Sequence, residues 1–146
     1  GGNVHPSNSL GTIDTFMIST RANGTDFGDL TSTRSGNAGV GDGVNAVFMG
    51  GHTRISGSNT VRTTIDKTTF ASTGSCSDFG DLTVARHSLG GGSNNVLAAA
   101  IGGSDVINTI DFVTIATTGD AADFGDLTVA RGYHSSASDS HGGLHG

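Results

Sequence analysis

Asp78-Phe79-Gly80-Asp81-Leu82-Thr83-Val84-Ala85-Arg86 decides the reading of this chain, because its core occurs three times. Asp26-Phe27-Gly28-Asp29-Leu30 leads to Arg34, and Asp123-Phe124-Gly125-Asp126-Leu127 leads to Arg131, with the same spacing. An Ile-Asp pair stands 12 residues ahead of each copy, as Ile13-Asp14, Ile65-Asp66 and Ile110-Asp111. The copies lie 52 and then 45 residues apart, a period typical of propeller blades and other stacked β units. A residue that returns at one place in every unit is first a part of that unit's architecture.

Composition sets the class. All 13 acidic residues are Asp, Lys67 is the one lysine, and Glu, Gln and Trp are absent. Good helix formers are scarce, whereas Gly, Ser, Thr, Asn and Asp dominate. That mixture suits short strands joined by tight turns. We therefore expect an all-β chain of three repeats, each with four short antiparallel strands. Residues 1–146 form a single repeat domain, with units at about 1–49, 50–101 and 102–146 and a Gly/His/Ser tail over 135–146. Only 34 % of the residues are hydrophobic, so one unit buries little alone and stacked units must cover one another.

Within a unit, an apolar run ends at a di-glycine: Ala46-Val47-Phe48-Met49 before Gly50-Gly51, and Ala98-Ala99-Ala100-Ile101 before Gly102-Gly103. Such a run reads as a strand buried on both faces, closed by glycines that permit positive φ or close backbone approach. A polar turn follows, over 53–59 or 104–105. An alternating strand comes next, carried by Ile13, Phe16 and Ile18, by Val61, Ile65 and Phe70, or by Val106 through Ile115, with Thr between. That pattern fits one wet face.

The net charge of −6, with seven Lys and Arg spread singly, argues against nucleic acid or an anionic membrane as partner. No run approaches the roughly 20 apolar residues of a membrane-inserted span. Cys76 is alone, so an intramolecular disulfide, a CxxC pair and a zinc cluster are all excluded, and it reads as a small buried or half-buried filler.

Asp26, Asp78 and Asp123 invite calcium, which takes several oxygens. The competing reading has them cap their own turns, with Phe27, Phe79 and Phe124 plugging the gaps between units. The repetition favours the second reading. Arg34, Arg86 and Arg131 are expected to pair with Asp14, Asp66 and Asp111, or with Asp29, Asp81 and Asp126, in the same or the adjacent unit. His141 and His145, in the tail, are weak candidates for a transition metal. No nucleophile elbow or phosphate loop is present. We read the chain as a non-enzyme that needs no cofactor.

The di-glycine closing a buried strand, about 50 residues per unit and four strands per unit resemble kelch-type β-propellers. The wording of Ile110 through Arg131, and the tail Ser138-Asp139-Ser140-His141-Gly142-Gly143-Leu144, resembles a kelch-like repeat of virion proteins in marine tailed phages. The kelch pattern's Trp is missing, and Tyr133 is the one tyrosine. One tyrosine cannot supply the crosslinked copper site of some kelch-type oxidases, which takes a Tyr-Cys crosslink and a further Tyr ligand. The resemblance implies a virion or extracellular protein, an appendage or tail-fibre module that adheres to host-surface glycans. The alternative is a self-assembling extracellular fibre or sheath subunit whose role is the polymer. Three units are too few to close a propeller, so homo-oligomerisation, or association with other virion proteins, is expected. Gly1-Gly2 and Gly142-Gly143 place both ends at one phase of the repeat.

Overall fold

The computed structural model describes residues 2–4, 8–104 and 106–137. Among them the regular structure is β throughout, apart from one 3₁₀ turn at Ile18–Thr20, and no helix is long and apolar enough to cross a membrane. The strands are β1 (Gly2–Val4), β2 (Asn8–Leu10), β3 (Thr12–Thr15), β4 (Thr25–Asp29), β5 (Ala38–Gly41), β6 (Asn45–Met49) and β7 (His52–Ile55). They continue with β8 (Ser58–Val61), β9 (Thr64–Thr69), β10 (Ser77–Asp81), β11 (Gly90–Ser93), β12 (Leu97–Gly103), β13 (Ile107–Thr114) and β14 (Ala122–Asp126).

Two four-stranded antiparallel sheets dominate, ordered β5-β6-β9-β10 and β11-β12-β13-β14. We call them the middle and C-terminal units. The pair β3-β4 forms a two-stranded N-terminal unit whose register matches the last two strands of the larger sheets. Ile13 faces Gly28 and Asp14 faces Asp26, as Ile65 faces Gly80 and Asp66 faces Asp78, and as Ile110 faces Gly125 and Asp111 faces Asp123. The Phe of Asp-Phe-Gly-Asp is thus the extra residue of a β-bulge, in all three copies. A bulge bends its strand and re-aims a side chain, and here it turns Phe79 into the core.

These sheets run at a different phase from the di-glycines. The apolar strand β6 pairs with β9 of the same sheet, so the di-glycine after it lies inside a unit. Gly50 (φ +62°) carries the chain past the carbonyl of Arg86, which a Cβ there would meet at 2.6 Å. Between β6 and β9 the expected polar turn over 53–59 is instead the hairpin β7-β8. Its tip, Ser56 (φ 48°) and Gly57 (φ 86°), has positive φ at both central residues, the geometry whose twist matches antiparallel strands.

The core lies between the middle and C-terminal units. Val47, Met49, Ile65 and Phe79 of one pack against Ala98, Ala100, Val113 and Ile115 of the other. Alternation decides which residues go there. On β13, Asp111 and Val113 face the middle unit and are buried, whereas Phe112 and Thr114 are not.

Candidate functional site

The recurring residues meet in two seams, one between the N-terminal and middle units and one between the middle and C-terminal units. At the first seam Thr31 donates to Asp66 twice, from its backbone N–H (2.9 Å) and its hydroxyl (2.6 Å). Arg34 Nη2 lies 2.8 Å from Asp66 Oδ2 and also donates to the Phe48 carbonyl at 3.3 Å. The second seam repeats this. Thr83 donates to Asp111 at 3.0 and 2.7 Å, Arg86 Nη2 lies 3.0 Å from Asp111 Oδ2, and it donates to the Ala100 carbonyl at 3.2 Å. All four charged side chains are 0 % exposed.

Each arginine therefore reaches forward to the Ile-Asp strand of the next unit. Burial pushes both guanidinium groups below their usual range, and the adjacent Asp66 and Asp111 carboxylates oppose that shift. Backbone bonds zip the same seams. Gly74 and Cys76 donate to the carbonyls of Phe27 and Asp29, both at 2.7 Å, and Gly119 and Ala121 donate to those of Phe79 and Asp81 at 2.9 and 2.8 Å.

The bulge glycine sits at the closest point. A Cβ on Gly28 would lie 2.3 Å from the Gly74 carbonyl oxygen, and one on Gly80 would lie 2.3 Å from that of Gly119. Gly125, with φ +139°, has nothing within 4 Å of its would-be Cβ. Gly125→Ala thus carries the strain of its dihedral alone, about 1–3 kcal/mol. Gly80→Ala, at φ +152°, adds overpacking of about 1–3 kcal/mol more. Denaturant midpoints of the two variants measure that difference, and equal losses would mean that the seam is not closed.

The expected side-chain roles divide. Phe27 and Phe79 plug the seams at 8 % and 2 % exposure, whereas Phe124 is 65 % exposed, so its plug role fails in the third copy because no unit covers it. Lys67 lies 5.0 Å over the Phe79 ring. Of the three expected arginine pairs two form, both across units. Arg131 is exposed, and no described carboxylate pairs with it. Asp29, Asp81 and Asp126, the alternative partners, are exposed, and Asp81 instead accepts from the Thr63 hydroxyl at 2.6 Å. Asp26, Asp78 and Asp123 are exposed as well. Asp123 accepts from the Gly125 N–H at 2.9 Å, the turn-capping bond expected of all three copies. Among the described residues no three His, Cys or Asp side chains converge as a metal site. His141, His145 and the tail motif from Ser138 to Leu144 lie outside the described residues. Cys76 is half-buried, and its thiol is pushed up to about 11, first by burial and then by Asp66. It is a poor nucleophile at neutral pH.

One pair escaped the sequence reading. His52 and His87 stack edge to face with centroids 4.5 Å apart, each beside a serine: Ser35 at 3.3 Å from His52 and Ser104 at 2.9 Å from His87. Both rings are buried. Desolvation, then the neighbouring His87 and Arg54, hold His52 below the usual imidazole range. A base whose folded pKa is depressed favours the fold when neutral. Its contribution is intact above about pH 6.5 and is lost as pH falls below that value. The melting temperature should drop between pH 7.5 and 5.5, and His52→Gln should flatten that slope. An equally steep slope in the variant would exclude His52 as its source.

Comparison with protein-family models found no match, and comparison with curated proteins found none either.

Proposed function

We propose that this chain is a non-enzymatic structural protein of a virion or of an extracellular appendage, its units arranged as kelch-like propeller-type blades. One observation carries this reading. Where two units meet, the motif arginine and the Ile-Asp aspartate are consumed in holding them together, at 0 % exposure for Asp66, Asp111, Arg34 and Arg86. Catalytic side chains must reach a substrate, whereas these are sealed from it. The resemblance of Ile110 through Arg131 to tailed-phage repeat proteins supports the virion setting.

Host-surface glycans are the partner this reading favours. Two of the turns linking strands are held by side-chain acceptors. Asp42 accepts from the N–H groups of Val44 and Asn45, and Asn94 accepts from those of Val96 and Leu97, all within 2.9 Å. Turns preset on a β scaffold are where surface-binding proteins keep their contacts. Binding of the labelled protein to a glycan array and to whole bacterial envelopes tests the proposal. Saturable retention that added polysaccharide competes away is the expected result. Turnover of any oligosaccharide would overturn the non-enzymatic reading, and absence of retention would overturn adhesion.

A further inference from the structure

We infer that this chain associates head to tail with further copies of itself, through a seam of the same kind as its two internal ones. The inference rests on the structural reading above and adds the partner and the contact residues.

The C-terminal unit presents the giving half of a seam. Thr128 and Arg131 occupy the positions of Thr31 and Arg34, and of Thr83 and Arg86, and both are exposed. Among the described residues the Arg131 side chain bonds locally, from Nε to the Val129 carbonyl at 3.2 Å. The sheet face beside them is apolar and open. Ala99, Ile101 and Ile110 are partly exposed and line a shallow cleft with Phe112 and Phe124. Their counterparts in the middle unit, Val47, Met49 and Ile65, are at most 1 % exposed because the C-terminal unit covers them. Phe112 and Phe124 stack edge to face at 5.8 Å, where Lys67 and Phe79 stack in the covered seam.

The N-terminal unit presents the receiving half. Asp14 holds the position of Asp66 and Asp111, is exposed, and has no cation paired with it among the described residues. Two residues on stands Phe16, at 64 % exposure, and four on stands Ile18, at 85 %. The matching residues of the C-terminal unit, Val113 and Ile115, are 4 % and 0 % exposed because they receive Phe79 and its neighbours. One end thus offers an exposed arginine beside an open apolar face, and the other end offers a carboxylate beside exposed apolar side chains. The two halves complement each other in charge, and both are apolar beside the charge. A second copy is the occupant for which the chain itself supplies the template twice. Each copy uses two different surfaces, so the contact is heterologous and propagates into a ring or a filament.

Sedimentation equilibrium and light scattering across micromolar to millimolar concentration test this, with Asp14→Arg and Arg131→Asp as variants. Both sites are exposed, so both variants should keep the wild-type circular dichroism spectrum and melting temperature. Wild type should associate. Each variant alone sets like charges against each other and should associate more weakly, on the order of 100-fold. An equimolar mixture of the two variants should recover association, since every junction then joins an Arg to an Asp. A wild type that stays monomeric throughout would overturn the inference, and so would association unchanged in both variants. Envelope binding is read separately. A monomeric wild type that binds envelopes sinks the junction alone, and an associating wild type without envelope binding sinks the adhesive function alone.

Discussion

Replacing Asp66 with alanine is expected to destabilise the chain by about 3–5 kcal/mol, because it leaves the Arg34 guanidinium buried without its counter-charge. Asp66 satisfies three donors at once: the Thr31 N–H, the Thr31 hydroxyl and Arg34 Nη2. After the substitution Arg34 retains the Phe48 carbonyl at 3.3 Å and Ser32 at 3.4 Å, both weak contacts for a full charge. The paired replacement Arg34→Met with Asp66→Leu removes both charges and both desolvation costs. It is expected to cost far less than the single change, as apolar replacements of buried ion pairs often do. Arg34 Nε has no partner even in the intact seam, so the pair is already imperfectly satisfied. Urea midpoints for wild type, both single variants and the double variant give the coupling directly. A cost below about 1 kcal/mol for Asp66→Ala would show that water reaches the seam, since that is the value of an exposed pair. Asp111→Ala should behave alike, as Arg86 is equally enclosed and leaves both Nε and Nη1 without partners.

Composition makes the β class accessible in the sequence, and the repeat makes the pairing of motif arginines with recurring aspartates accessible. Strict spacing between Ile-Asp, Asp-Phe-Gly-Asp and Arg meant that one pairing rule had to serve every unit. What spacing left open was whether that rule joined residues within a unit or across units. Depth of burial decides that, and burial depends on which sheet face meets which neighbour. The bulge at Phe27, Phe79 and Phe124 was hidden for a related reason. Two-residue alternation assigns Asp and Gly to one side and Phe to the other, and only the register against the Ile-Asp strand shows the extra residue. Thr31 and Thr83 stand in the repeated motif without standing out, because Thr is abundant along this chain. Their donation to Asp66 and Asp111 is what makes an aspartate tolerable at 0 % exposure. The His52–His87 contact carried no signal, since the residues stand 35 apart and hold different places in the repeat, His52 after a di-glycine and His87 after the motif arginine. The hairpin β7-β8 had one, in Ser56-Gly57, and it was masked by the polar residues on either side.

Phe79→Ala and Phe124→Ala should differ widely in cost although the two residues are equivalent in the repeat. Phe79 is 2 % exposed and packs with Val113 and Ile115 of the next unit. Truncating it removes the transfer energy of the ring and leaves a cavity in a seam whose backbones are pinned by the Gly119 and Ala121 hydrogen bonds. Such a site collapses poorly, and a loss of about 3–5 kcal/mol is expected. Lys67 would also lose the ring beneath its ammonium group, though its bond to the Ile115 carbonyl at 3.0 Å remains. Phe124 has the same neighbours in sequence and the same bulge, yet at 65 % exposure its truncation should change monomer stability by no more than about 0.5 kcal/mol. The contrast isolates burial from sequence, because the Asp-Phe-Gly-Asp-Leu-Thr segment and its bulge are held constant. Thermal or urea unfolding at low protein concentration gives both numbers. A soluble, well-folded Phe79→Ala protein of wild-type stability would refute the plug. At concentrations where copies associate, the order of effects changes. Phe124→Ala then weakens the junction that buries its ring while leaving the isolated chain as stable as before.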